Sequence, residues 1–189
     1  MNKDMLSWKE VSREKILERG LFTVCENQSL SPKNKLQKFT IIESSDWAIV
    51  VPVLEKGQEK KFVMVNQWRH GAQELSLEFP GGVFEPGEDP ADAAARELLE
   101  ETAYKAGKIK KIGEFSPNPA IMSNKVHFFL AEDLADTGSQ ALDPDEFVRV
   151  ELADIDFVFR NMGKAPFCHA LMASALLLYF QSFASCGYL

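Results

Sequence analysis

The sequence predicts a mixed β-sheet covered by helices on both faces, an α/β (α+β) arrangement, on three observations. Before residue 80 the chain is dominated by short β-branched and aromatic runs, a charged helical segment opens near residue 90, and a long apolar helical segment lies near the end. At 189 residues, 46% of them apolar and 26% charged, the chain has the composition of an ordinary globular protein with a full core.

Four strands are expected first: Lys15 to Glu26, Phe39 to Glu43, Trp47 to Leu54 and Lys61 to Trp68, separated by turn-prone segments. Phe79-Pro80-Gly81-Gly82 then breaks the chain and Val83 to Glu88 form a loop. Asp89-Pro90 supplies an N-cap and a proline at the first helical position, and Asp92 suits the positive end of the helix dipole. Further strands are expected over Lys108 to Phe115, Lys125 to Ala131 and Val148 to Leu152, with an acidic loop around Asp143 to Glu146. A last helix is expected from Pro166 to Phe183.

Several function classes are disfavoured. A formal charge of −7 opposes broad attraction to nucleic acid or an anionic membrane, which needs clustered Lys and Arg. The longest apolar stretch, Ala170 to Phe180, is shorter than the roughly 18 residues that cross a bilayer. The opening residues carry no apolar run of signal-peptide length, so the expected setting is cytoplasmic. Cys25, Cys168 and Cys186 lack the spacing of a zinc site or redox motif and read as free thiols.

The chemistry concentrates on the central helix. At about 100° per residue, Glu97, Glu100 and Glu101 fall within an arc of about 100°, with Ala91, Ala95, Leu98 and Leu99 covering most of the opposite side. Clustered glutamates are usually a solvated face, but two features point further. Glu97 and Glu101 stand at i and i+4, a repulsive spacing, and only Glu101 has a basic residue four positions on, Lys105. A hard divalent cation would turn that repulsion into attraction, and Mg²⁺ takes such oxygen ligands together with substrate phosphates. The second feature is Gly81-Gly82, which permits close backbone approach just ahead of the helix.

Written out, Gly82-x5-Glu88-x7-Arg96-Glu97-Leu98-x-Glu100-Glu101 closely resembles the Nudix box of the Nudix hydrolase family. The match departs at Ala103, where the family has glycine, and at the bulky Tyr104; Gly107 is then expected to stop a helix one turn longer. The resemblance implies a loop–helix–loop in an α/β/α sandwich and hydrolysis of a nucleoside diphosphate linked to another group. It implies Mg²⁺, with Mn²⁺ as a possible substitute, held chiefly by Glu97 and Glu101, Glu100 sharing a second ion or positioning water, and the Gly81 carbonyl as a further ligand. Arg96 and Glu88 would form a supporting ion pair that orients the cluster.

The runs Ala48-Ile49-Val50-Val51-Pro52-Val53, Val65-Asn66-Gln67-Trp68-Arg69 and Leu77-Glu78-Phe79-Pro80-Gly81-Gly82 look like the ADP-ribose pyrophosphatase branch of that family, as does the placement of Ser116-Pro117-Asn118-Pro119. This implies a nucleoside diphosphate sugar as substrate, ADP-ribose being the first guess. Arg69 would grip a diphosphate oxygen or sit as a surface arginine, and Glu78 would contact ribose or make a loop salt bridge. Glu146, in Asp143-Pro144-Asp145-Glu146, occupies the place of a glutamate general base in relatives. The loop Asn118 to Asn124 contains no acid or base, and His70, His127 and His169 read as packing or hydrogen-bonding residues, His169 on the last helix. Residues 1–45 are expected to form an N-terminal strand region, which the resemblance to this branch implies would serve a homodimer, and 46–189 the hydrolase domain. Rival readings are a non-catalytic nucleotide-sugar sensor, a Nudix hydrolase of another nucleoside diphosphate derivative, and an interaction protein with a solvated acidic helix.

Overall fold

Gly20 divides what the sequence suggested was a single strand from Lys15 to Glu26. In a computed structural model that describes residues 5–184, β1 (Lys9–Arg19) and β2 (Phe22–Leu30) pair antiparallel from Arg19 opposite Phe22. Gly20 takes φ 48° at the first turn position, as a two-residue hairpin that follows strand twist requires. Strand β3 (Leu36–Ser44) completes a three-stranded antiparallel sheet in the order β1-β2-β3. By contacts the chain divides into two compact units: one runs up to Asp46 and takes in Ser116–Lys125, the other comprises Trp47–Phe115 and Val126 onward.

The second unit is built on β4 (Trp47–Lys56), β5 (Glu59–Arg69), β6 (Glu74–Glu78), β7 (Tyr104–Phe115) and β8 (Val126–Asp136), in the order β6-β5-β4-β8-β7, with β9 (Arg149–Asp154) on β5. The sheet is mixed: β4 and β8 are parallel and the other pairs antiparallel. Residues Ala48 to Leu54 of β4 are buried, the continuous apolar run of a strand covered on both sides.

Strand alternation divides the core. Ala48, Val50, Phe129 and Ala131 pack with Ala93, Ala94 and Leu98 of helix α1 (Pro90–Thr102). Ile49, Val51, Val53, Phe128 and Leu130 join a cluster with Val158 of α2 (Ile155–Asn161) and Met172, Ala175, Leu176 and Tyr179 of α3 (Ala170–Ala184). Helices therefore cover both faces of a mixed sheet, as expected.

Strand β6 and helix α2 were not anticipated, and three expectations are corrected. The last helix starts at Ala170, because the Pro166 carbonyl accepts from Leu77 N–H at 3.0 Å and commits residues before it to an extended loop; His169 precedes the helix. Helix α1 stops at Thr102: Ala103 itself adopts the left-handed conformation at φ 61°, and Gly107 lies inside β7. On α1, Ala95 and Leu99 are exposed while Ala93, Ala94, Leu98, Glu101 and Thr102 are buried. The packing face is thus rotated toward Glu101. Cys25 and Cys168 are free thiols, and Cys186 lies outside the described residues. No helix among the described residues is long and apolar enough to cross a membrane.

Candidate active site

Helix α1 begins where the sequence placed it. Asp89, extended at φ −70°, accepts from Ala91 N–H at 2.8 Å, and Pro90 follows as the first helical residue. The burial of Ala94 and Leu98 fixes the rotation of the helix, so the same face carries Glu97 and Glu101 to the border of the sheet.

Opposite them runs Pro80–Gly81–Gly82. The carbonyls of Pro80 and Gly82 accept from Val50 and Ala48 N–H, each at 2.9 Å, which lays this segment along the first half of β4. Gly81 N–H donates instead to Glu101 Oε2 at 2.8 Å. A Cβ on Gly81 would stand 2.1 Å from the Ala48 carbonyl oxygen, and one on Gly82 would stand 2.3 Å from Glu97 Oε1. At Gly81 the backbone of β4 excludes any side chain, whereas a side chain at Gly82 would displace the Glu97 carboxylate from its place.

Arg96 organises the remaining acids. Its Nε and Nη2 donate to the two oxygens of Glu88 at 2.9 and 3.0 Å, and Nη1 donates to Glu97 Oε1 at 2.9 Å and to Glu100 Oε2 at 3.0 Å. Its Nη2 also reaches the Val83 carbonyl at 3.2 Å. The hydrogen bond from Arg96 holds the Glu88 carboxyl below the usual range. Glu97 goes the other way: burial raises its pKa against the opposing bond from Arg96.

Glu101 is the extreme case. It is 3% exposed, and burial pushes its pKa to about 8; the Gly81 N–H opposes this, while the charges of Glu97 and Glu146 reinforce it. Among the described residues, no three His, Cys, Asp or Glu side chains are drawn together closely enough to enclose an ion. The donor set is nevertheless all oxygen, and it contains a buried carboxylate with no direct cationic partner among the described residues.

Arg69 and Glu78 are each other's partners. Arg69 Nε and Nη2 donate to Glu78 Oε1 and Oε2 at 2.9 and 2.7 Å, the planar fork meeting a fully buried carboxylate. His169 Nδ1 lies 3.1 Å from Glu78 Oε2. Burial is the largest influence on Glu78 and acts upward, but Arg69 and His169 together hold its pKa well below the usual carboxylate range.

Glu146 lies in the turn before β9, where its N–H donates to the Asp143 carbonyl at 2.9 Å. It helps line an open cavity of about 440 Å³ with Asn66, Leu75, Leu142, Phe147, Val148 and Arg149. His70 is exposed, while His127 is buried against the Phe84 ring at 5.1 Å with Lys111 Nζ 2.9 Å from its Nδ1. The loop Asn118 to Asn124 belongs to the first unit. Sequence reading missed two residues tied to this region, His169 beside Glu78 and Gln140, whose side-chain amide donates to the Glu101 carbonyl. Neither partnership leaves a local signature.

The family model of the NUDIX domain matches residues 45–170. The chain is 35% identical to the ADP-ribose pyrophosphatase of Bacillus subtilis (strain 168) over 146 residues, 77% of each chain. It is 30% identical to the methanol dehydrogenase activator of Bacillus methanolicus over 141 residues, 74% of this chain and 75% of the other. A crystal structure of an ADP compounds hydrolase superposes with a TM-score of 0.84, covering 98% of both chains at 20% identity, a likeness of fold.

Proposed function

The chain belongs to the NUDIX family and is a Nudix hydrolase of the pyrophosphatase type, and from that premise we propose that it splits the diphosphate linkage of a nucleoside diphosphate sugar, ADP-ribose first among them. The products would be a nucleoside monophosphate and a sugar phosphate. The substrate class follows the names of its relatives, the ADP-ribose pyrophosphatase above and the mouse ADP-sugar pyrophosphatase, 33% identical over 116 residues.

The observation that carries the reading is the pairing of a buried Glu101 with Glu97 against a glycine turn where a Cβ at Gly81 would meet the backbone of β4 and one at Gly82 would displace the Glu97 carboxylate. A divalent cation, Mg²⁺ by preference, would be held by Glu97, Glu100, Glu101 and the Gly81 carbonyl. When bound, it supplies positive charge to the diphosphate oxygens and acidifies water for attack on phosphorus. Arg96, anchored by both Glu88 oxygens, steers Glu97 and Glu100. Arg69 keeps a partly exposed guanidinium beside the site, suited to a diphosphate oxygen, while its fork is held by Glu78. Glu146 serves as general base.

Trp8, Val11, Ile16, Leu21 and Leu36, on or beside β1–β3, are exposed apolar residues that a second copy of the chain would cover. Sedimentation should therefore return a homodimer. The function is tested by product chromatography on nucleoside diphosphate sugars with Mg²⁺, with and without chelator, for wild type and Glu101→Gln. Metal-dependent release of a nucleoside monophosphate that the variant loses supports the hydrolase. Nucleotide binding without turnover across the panel would replace it with a sensor.

A further inference from the structure

Helix α1 ends at Thr102 with carbonyls that have no partner within the helix. A segment from after β8 takes them. Thr137 donates its backbone N–H and its hydroxyl to the Ala103 carbonyl, each at 2.8 Å, and Ala141 N–H donates to the Glu100 carbonyl at 3.0 Å. Between these contacts, Gln140 Nε2 donates to the Glu101 carbonyl and, at 3.4 Å, to the Val148 carbonyl.

One amide nitrogen thus bridges the end of the carboxylate helix and the start of β9. The bridge closes a short loop, Leu142 to Phe147, that contains Glu146. Within it, Glu146 N–H donates to the Asp143 carbonyl, and Asp143 N–H reaches Glu146 Oε2 at 3.4 Å. The charge of Glu146 is felt at both Glu97 and Glu101, so the loop lies within electrostatic reach of the helix it is tied to.

We propose that Gln140 is a positioning residue that sets the place of Glu146 relative to the carboxylates of α1, through its two carbonyl contacts. This rests on the reading of Glu146 as general base. The role demands a neutral donor of this length: a primary amide offers two N–H groups, whereas a glutamate would offer only acceptors to two carbonyls. Gln140 takes no proton and touches no substrate. Its effect is confined to how often Glu146 stands where it can receive a proton from water.

The test measures kcat, KM, the Mg²⁺ dependence and the thermal midpoint with ADP-ribose for Gln140→Ala, Gln140→Glu and Gln140→Lys, each with Glu146 intact and with Glu146→Gln. Gln140→Ala is expected to lower kcat by roughly 10- to 100-fold, the scale of a misplaced catalytic group. KM, the Mg²⁺ dependence and the midpoint should stay unchanged, and the loss should vanish in the Glu146→Gln background. Gln140→Lys, which keeps a donor of sufficient reach, should recover part of kcat, and Gln140→Glu none. Equal losses in both backgrounds, a shifted Mg²⁺ dependence, or an unchanged kcat while Glu146→Gln is inactive would overturn the positioning role and leave the base assignment standing. Full activity of Glu146→Gln would instead remove the base assignment, and this inference with it.

Discussion

Glu78 and Glu101 are two buried carboxylates, at 0% and 3% exposure, one just before the Pro80–Gly82 segment in the chain and one accepting from Gly81 N–H, and they are treated in opposite ways. Glu78 receives the whole fork of Arg69 and lies beside His169, so its charge is balanced within the protein and its pKa sits below the usual range. Glu101 receives a single backbone N–H, and burial, reinforced by the charges of Glu97 and Glu146, pushes its pKa up to about 8. A buried charge without a partner is costly. The molecule neutralises Glu78 with Arg69 and His169, three residues before Gly81, and leaves Glu101, the carboxyl proposed to take a cation, with a raised pKa instead.

The largest effect that would test this contrast is on rate. Glu101→Gln should lower kcat/KM by about a thousandfold, equivalent to about 4 kcal/mol of barrier, while urea denaturation shows a fold at least as stable as wild type. A large stability loss would mean that Glu101 is structural in the way Glu78 is.

Next is the converse substitution. Arg69→Ala strands Glu78 and should destabilise by about 3 kcal/mol, the lower end for a broken buried pair because the arginine is partly exposed. Arg69→Met combined with Glu78→Gln should regain much of that loss in urea denaturation. An additive double variant would show that the two side chains are not coupled.

A smaller effect separates the two carboxylates by metal. Saturating Mg²⁺ should raise the thermal midpoint of wild type and of Arg69→Met/Glu78→Gln, by up to about 2.7 kcal/mol of stability at a hundredfold excess over the dissociation constant, and should not stabilise Glu101→Gln. Chelator should reverse it.

The smallest effect is in acid. Because the folded pKa of Glu78 is depressed, its contribution is fully present above the ordinary value of 4.5 and is lost as pH falls from there toward the folded value. Glu78→Gln should remove part of the acid slope, at most about 1.4 kcal/mol per pH unit. Identical slopes in wild type and variant would deny the pairing its electrostatic role.

What was legible in the sequence was local. Asp89-Pro90 announces the start of α1 because capping involves neighbours in the chain, and the spacing of Glu97, Glu100 and Glu101 fixes their shared face whatever surrounds the helix. What was not legible depends on distant partners. The exposure of Ala95 and Leu99 follows from how α1 meets Ala48, Val50 and Phe129, which helical spacing alone does not say. The start of α3 is set by Leu77 N–H drawing on the Pro166 carbonyl, and the approach of His169 to Glu78 also joins remote segments. Gly20 was readable as a turn residue, but the apolar residues around it masked a hairpin as one long strand. The departure at Ala103 pointed to a stop at Gly107, yet Ala103 itself takes the left-handed conformation, with its carbonyl accepting from Thr137.

Strand β4 has a consequence for how the chain is made. Its parallel neighbour is β8, with Trp47 opposite Val126, so the ribosome delivers the most apolar strand of the sheet long before the strand that covers its flank. Parallel pairing over such a separation is slow, and an uncovered apolar strand is prone to associate with other nascent chains in the interval. The run from Ala48 to Leu54 is bracketed by Asp46 on one side and by the exposed Glu55 and Lys56 on the other. Charges flanking an apolar run are the pattern that limits association of such a strand before its sheet forms.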